Sequence, residues 1–274
     1  MNKNKLTNEK GFTLIELLVV ISVIALLISI IMPALSEARK MAQKTTCGSN
    51  LRQWGIALSS YSNDFDYKIP TTYQTSYKRR HPAITAGSLN GPGTTPVPGG
   101  HVGEFTIPAM NPYLPFNKED GEYNNVWKCP AQKSVTKLWD TSWNGDGWLH
   151  MCYSYFAGIS KWDQRMMTVS EPSDITDMRL SGKKIIMADA LYRWQAEGTW
   201  WVNHGESGSY VHNPKYGIKV LRGPPEIQGQ NRLYGDGRVE WNKGSQYDPK
   251  AMEEISPDTS HVIVGGRVGS AVFY

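Results

Sequence analysis

Phe12-Thr13-Leu14-Ile15-Glu16-Leu17-Leu18-Val19-Val20-Ile21-Ser22-Val23-Ile24-Ala25-Leu26-Leu27-Ile28-Ser29-Ile30-Ile31-Met32-Pro33-Ala34-Leu35 contains 19 apolar residues in 24, the exceptions being Thr13, Glu16, Ser22, Ser29 and Pro33. Nothing comparable occurs in the 239 residues that follow. A helix rising about 1.5 Å per residue needs roughly 20 predominantly apolar residues to cross a hydrocarbon core about 30 Å thick, and Phe12 to Met32 is 21 residues long, 17 of them apolar. A cleaved secretory signal has a shorter apolar run of about 7 to 15 residues, followed closely by a small-x-small site. The stretch therefore reads as a membrane-spanning helix attached to a soluble body, for the mean hydropathy of the whole chain is negative despite it.

Glu16 is the residue that a plain anchor does not explain. A carboxylate at the centre of a spanning helix costs about 2.5 to 3.5 kcal/mol, and somewhat less near an end. A chain cut between Gly11 and Phe12 would carry a new ammonium group at Phe12, at the same membrane depth. In a packed fibre one subunit's Glu16 could pair with its neighbour's terminus, and an ion pair in low dielectric is strong enough to help set the register between subunits.

Lys10-Gly11-Phe12-Thr13-Leu14-Ile15-Glu16-Leu17-Leu18-Val19 resembles the processing site of type IV pilins and of the pseudopilins of type II secretion systems. That family has a short basic leader ending in Gly, then Phe, then Thr-Leu-Ile-Glu opening an apolar helix, with a helix-bending proline near the end of the span. Here the leader carries Lys3, Lys5 and Lys10 against Glu9, and the proline is Pro33. The resemblance covers about the first 60 residues. It implies that a prepilin peptidase of the bacterial inner membrane cuts after Gly11 and methylates the Phe12 amine, which keeps its positive charge. It further implies a single-pass protein with its leader in the cytoplasm and its body in the periplasm. The chain would then join other pilin or pseudopilin subunits, through an inner-membrane assembly platform, in a periplasmic or cell-surface fibre. Charge counting alone leaves the orientation open, because Arg39, Lys40 and Lys44 balance the leader lysines.

Beyond Pro33, Ser36 to Gln43 consists mostly of strong helix formers. Cys47, Leu51, Trp54, Leu58 and Tyr61 then recur at spacings of 4, 3, 4 and 3, an apolar stripe that must bury against something. A single helix from Phe12 to Tyr61 would be about 75 Å long, with Gly48 and Gly55 as weak points costing about 1 kcal/mol each relative to Ala. The stretch from Cys47 to Leu58 is similar to a large pseudopilin-like family of planctomycete-type and lentisphaere-type bacteria, and Asn231 to Trp241 resembles that family's closing Asp-Gly motif. The family usually carries a His ten residues before the Asp, where this chain has Glu226.

The remaining 213 residues can bury a real core. Strand candidates are Val126–Cys129, Lys184–Ala188, Gly217–Leu221, Arg232–Tyr234, Arg238–Trp241, His261–Val264 and Val268–Tyr274, with Asp236-Gly237 as a tight turn. The expected fold is α+β: the long helix laid against an antiparallel sheet. The expected organisation is a leader at 1–11, a membrane or fibre-core helix at 12–35, its amphipathic continuation at 36–61 and a globular body at 62–274. A flexible Gly/Pro-rich insertion interrupts the body at about 85–103.

The chemistry legible in the body is sparse. A net charge of +4 without dense basic runs argues against nucleic-acid binding. No GxSxG, P-loop or GxGxxG motif appears, so no enzyme is expected and no catalytic residue is assigned. The six histidines are scattered; His150-Met151-Cys152 is the nearest approach to a metal pair, but no second pair stands at ligand spacing. The resemblance suggests calcium, because major type II pseudopilins hold that ion in loops near the C-terminus. Asp174, Asp177, Asp189, Asp236 and Asp258 are the candidates, with the Asn144-Gly145-Asp146-Gly147 turn as an outsider; the alternative is ordinary turn chemistry. Cys129 and Cys152 could pair in an oxidising compartment, and Cys47 with Cys129 is nearly as plausible a staple of helix to sheet. Nine of ten tryptophans follow residue 126, and exposed rings would suit polysaccharide, although core packing is their commoner use. The reading is a structural pseudopilin or minor pilin. The alternatives are a membrane-tethered polysaccharide-binding protein and a tethered hydrolase.

Overall fold

The computed structural model describes residues 12–71, 84–86, 105–116, 118–119, 122–123, 126–132, 139–140, 148–150, 152–157, 176–180, 182, 184–194, 199–205, 210–213, 218–222, 226–246 and 261–263. Gly11 and the leader, Asp174, Asp258, the Asn144 to Gly147 turn, nearly all of the 85–103 insertion and the candidate strand Val268–Tyr274 lie outside them.

One helix, α1 (Leu14–Asp64), runs without interruption through Pro33, Gly48 and Gly55. It ends where Asp66 and Tyr67 take positive φ values of 52° and 64°, which turns the chain out of the helix and lets the Tyr67 amide donate to the Ser62 carbonyl at 2.7 Å. The chain divides into two compact units, Met1–Ala42 and Gln43–Tyr274, so the boundary falls inside α1.

In the first unit every large apolar side chain from Phe12 to Leu35 is exposed, from 47% for Val20 to 87% for Leu14. Such a surface needs lipid or other helices over it. The two serine hydroxyls inside the run are satisfied by the helix itself, Ser22 donating to the Val19 carbonyl at 2.8 Å and Ser29 to the Leu26 carbonyl at 2.7 Å. That arrangement suits a medium without water, where an unpaired polar group is expensive.

In the second unit the predicted stripe is the buried face of α1: Cys47, Leu51, Trp54, Leu58 and Tyr61 are all enclosed. They pack on a four-stranded antiparallel sheet of β1 (Tyr153–Tyr155), β2 (Ile185–Asp189), β3 (Gly229–Tyr234) and β4 (Val239–Lys243), in the spatial order β4-β3-β2-β1. All five residues of β2 are buried, as expected of a central strand. The two glycines of α1 have a purpose here. A Cβ at Gly48 would stand 3.3 Å from the Asn231 side chain, and one at Gly55 would stand 3.1 Å from Leu233, so both let β3 approach the helix closely. The Asp236-Gly237 turn joins β3 to β4, with Gly237 at φ 82° and the Asp236 carboxylate accepting from the Arg238 amide at 3.0 Å. An aromatic group fills the helix–sheet interface: Trp54 lies edge-on to Trp127 at 4.5 Å, and Phe105 stacks on Tyr155 at 4.0 Å.

Val126–Cys129, expected as a strand, is instead a buried turn. Its backbone acceptors are taken by side chains of α1 rather than by a neighbouring strand: Trp54 Nε1 donates to the Val126 carbonyl at 3.3 Å, and Asn50 Nδ2 to the Lys128 carbonyl at 3.0 Å. A five-stranded antiparallel sheet follows the order Tyr210–Asn213, Ile218–Arg222, Thr199–Val202, Leu191–Trp194, His261–Ile263. Ala190 alone separates β2 from Leu191–Trp194, so the chain passes from one sheet to the other at Asp189 and Ala190.

Candidate functional site

Two places in the described residues carry chemistry. The first is the start of α1. Thr13 and Glu16 form a reciprocal capping box: the Thr13 amide and hydroxyl donate to Glu16 Oε2 at 2.8 and 2.7 Å, and the Glu16 amide donates to Thr13 Oγ1 at 3.2 Å. In the single chain the Glu16 carboxylate is therefore held by neutral donors three residues away. Phe12, the first described residue, is 74% exposed.

The second place is a buried polar cluster where α1, the Cys129 turn and both sheets meet. Cys47 of α1 is joined to Cys129 by a disulfide with Cα atoms 5.3 Å apart, closing 82 residues of sequence. On the chain-entropy account a loop of that length is worth about 4.5 kcal/mol. Of the pairings the sequence left open, Cys47 with Cys129 is the one formed, and Cys129 with Cys152 is not. Cys152 is a buried free thiol, which burial pushes up to about 12.

Beside the disulfide sits Asp189, at the end of β2 and almost wholly buried. Its Oδ2 accepts from the Asn231 amide and from Asn231 Nδ2, both at 2.8 Å, and lies 3.0 Å from His204 Nε2. His204 Nε2 is also 3.7 Å from Cys129 Sγ. The cluster is tied to the helix a second time, since Asn231 Nδ2 donates to the Lys44 carbonyl at 3.2 Å. Gln230 Nε2 donates to the Asp189 carbonyl at 2.7 Å, and the Trp241 ring stands edge-on to His204 at 5.2 Å with the Lys44 ammonium over its face at 4.2 Å.

Among the described residues, Asp177, Asp189 and Asp236 do not gather. Asp177 is held by Arg179, whose side chain lowers its pKa. Asp236 is held in the β3–β4 turn, where the Arg238 backbone amide and then its side chain lower it. Asp189 alone of the described three enters a cluster with other potential ligands. Sequence reasoning missed that cluster. The signal for Asp189 was present, a single carboxylate inside Ile185-Ile186-Met187-Ala188-Asp189-Ala190-Leu191, which must find partners when buried. His204 was hidden by an excursion: Gly205 pairs with Ile227, and the Gln228 amide donates to the His204 carbonyl at 2.9 Å. His204 thus lies beside Ile227 and Gln228 in space although more than 20 positions separate them in sequence.

Residues 6–32 match the family model described as the prokaryotic N-terminal methylation motif. The chain is similar to the ComG operon protein 3 homolog of Bacillus licheniformis, 40% identical over 63 residues, which are 23% of this chain and 65% of that protein. It is also similar to the type IV wide pilus major component PilA4 of Thermus thermophilus, 58% identical over 38 residues, 14% of this chain and 29% of that one. The chain thus spans less than two thirds of the length of either relative. No solved structure matches. With the motif, these likenesses mark the N-terminal part of the chain as type IV pilin-like.

Proposed function

We propose that this chain, type IV pilin-like in its N-terminal segment, is a structural subunit of a pilin-type fibre, a pseudopilin or minor pilin of a type II secretion or type IV pilus-like assembly. The observation that carries the reading is the first unit of the structure. An apolar helical span with no residue covered begins at Leu14, inside the matched methylation motif of residues 6–32, and contains one carboxylate, Glu16. Lipid covers such a helix before assembly, and the same helix in neighbouring subunits covers it afterwards.

On this reading the prepilin peptidase removes residues 1–11 after Gly11 and methylates Phe12, the helix spans the inner membrane once, and the body lies in the periplasm. An assembly platform then draws subunits out of the membrane. Glu16 leaves its capping box with Thr13 and takes the cationic terminus of a neighbour, exchanging neutral donors for a charge in low dielectric. The capping box holds the carboxylate while the chain is alone, and the exchange supplies register.

The test is Glu16→Ala. It removes the carboxylate at the fifth residue beyond the cut and leaves the cleavage residues in place. The expected outcome is normal processing with sheared-fibre yield reduced at least about 10-fold, the effect of roughly 1.4 kcal/mol per subunit contact. Fibres at wild-type yield would remove Glu16 from the assembly step.

A further inference from the structure

Cys47, Cys129, Asp189 and His204 come from four separate parts of the sequence, and their ligand atoms all lie within 4.8 Å of one another. Each residue is at most 4% exposed. The set comprises two sulfurs, one imidazole nitrogen and one carboxylate oxygen, the donor types that zinc takes in closed four-coordinate sites. Calcium prefers six to eight oxygens, so Asp189 stands among partners suited to the softer ion. We propose that the reduced chain binds one Zn²⁺ through Cys47 Sγ, Cys129 Sγ, His204 Nε2 and an Asp189 carboxylate oxygen, in the place that the disulfide holds in the oxidised chain.

Five of the six ligand–ligand edges of the tetrahedron do not involve the sulfur–sulfur bond, and two of these bear on the proposal. Zinc–ligand distances of about 2.0 to 2.3 Å give ligand–ligand edges of about 3.3 to 3.8 Å in a tetrahedron. His204 Nε2 stands 3.7 Å from Cys129 Sγ, within that range, and 3.0 Å from Asp189 Oδ2, a hydrogen-bond distance that must open by about 0.3 Å to admit the ion. The charges fit as well. Asp189 is an almost fully buried carboxylate whose described partners are the amides of Asn203 and Asn231 and the His204 ring, with no Lys or Arg among them. A divalent cation offsets two of the three negative charges that the carboxylate and two thiolates bring, leaving a single negative charge for the Asn203 and Asn231 amides to solvate. The supporting shell is in place too: two donors from Asn231 hold the Asp189 oxygen, and Gln228 fixes the His204 backbone. Such outer contacts orient metal ligands and raise affinity.

The two states are related by a balanced step. A newly made chain carries Cys47 and Cys129 as thiols, and Zn²⁺ binding displaces two protons from them. Starting from the oxidised chain, a dithiol reductant donates two electrons and two protons to the sulfur–sulfur bond and becomes a disulfide itself; Zn²⁺ then releases the two protons from the protein thiols. Either state links α1 to the Cys129 turn, and the metal-held state adds Asp189 of β2. The clamp is covalent in an oxidising compartment and metal-held where thiols persist, which protects the helix–sheet contact before oxidation.

The test uses the full chain in detergent micelles, reduced with a phosphine that is then removed, and titrated with Co²⁺ as a visible probe for a zinc site. The expected result is one equivalent bound, with the intense visible bands of tetrahedral cobalt, near-ultraviolet thiolate-to-cobalt charge transfer, and displacement by one equivalent of Zn²⁺. His204→Gln and Asp189→Asn each weaken binding at least 10-fold, while Cys152→Ala leaves the spectrum unchanged, and the oxidised chain shows no charge transfer. A reduced wild-type chain without the tetrahedral signature overturns the proposal whether or not the variants fold. So does a signature that survives both His204→Gln and Asp189→Asn, or one that disappears with Cys152→Ala, since either assigns the metal to the cysteines alone.

Discussion

Single residues in this chain carry meaning where they break a local rule. Glu16 breaks the apolar count, Asp189 breaks the apolar run of β2, and Cys152 is a thiol shut inside the body. Glu16 was conspicuous in the sequence because its neighbours are all greasy; its use of Thr13 as an interim partner was not, since a capping box depends on where the helix starts. Cys152 gives a prediction at this scale. Its thiol titrates near 9 when unfolded and near 12 in the fold, so the folded state holds the proton across that window. The stability this contributes is complete below about pH 9 and is lost as pH rises towards 12. Thermal melts of the full chain should show Cys152→Ala declining less steeply above pH 9 than the wild type, and equal slopes would contradict the burial. Alkylation without reductant at about pH 8 should label no thiol in the native chain and one after unfolding. Two or three labels after unfolding would mean that the Cys47–Cys129 bond had not formed.

Among the elements, α1 was the most legible, because an uninterrupted 3.6-residue stripe needs no knowledge of what covers it. Its five positions from Cys47 to Tyr61 are all buried. What the stripe could not reveal was the value of Gly48 and Gly55, which read as defects until β3 is seen against them. The β3–β4 hairpin was legible from its Asp-Gly turn, whereas Val126–Cys129 was misread because apolar side chains bury equally well from a turn whose carbonyls α1 satisfies. A pair of substitutions tests the packing of the helix. Leu51 is fully buried and Ile56, on the same helix, is 68% exposed. Leu51→Ala should destabilise the body by about 2 to 5 kcal/mol and Ile56→Ala by no more than about 0.5 kcal/mol, read from tryptophan fluorescence melts that report on Trp54 and Trp127. Comparable losses for both would mean that the helix does not present the stripe to the sheet.

For the whole molecule, the sequence shows one apolar segment near its start, and the structure divides into two units at Ala42 and Gln43. The α+β class was legible because one long helix and a strong hairpin determine it. The polar cluster was not, because its members lie as much as 157 positions apart and only the fold brings them together. That number, the separation of Cys47 from His204, is far beyond any ligand-spacing rule. The central claim, that the chain is a processed fibre subunit, rests on the cut between Gly11 and Phe12, and intact-mass and N-terminal peptide mass spectrometry of the membrane fraction tests it most directly. The account predicts a chain that starts at Phe12 with a methylated amine. A chain that keeps Met1 and its whole leader would contradict it.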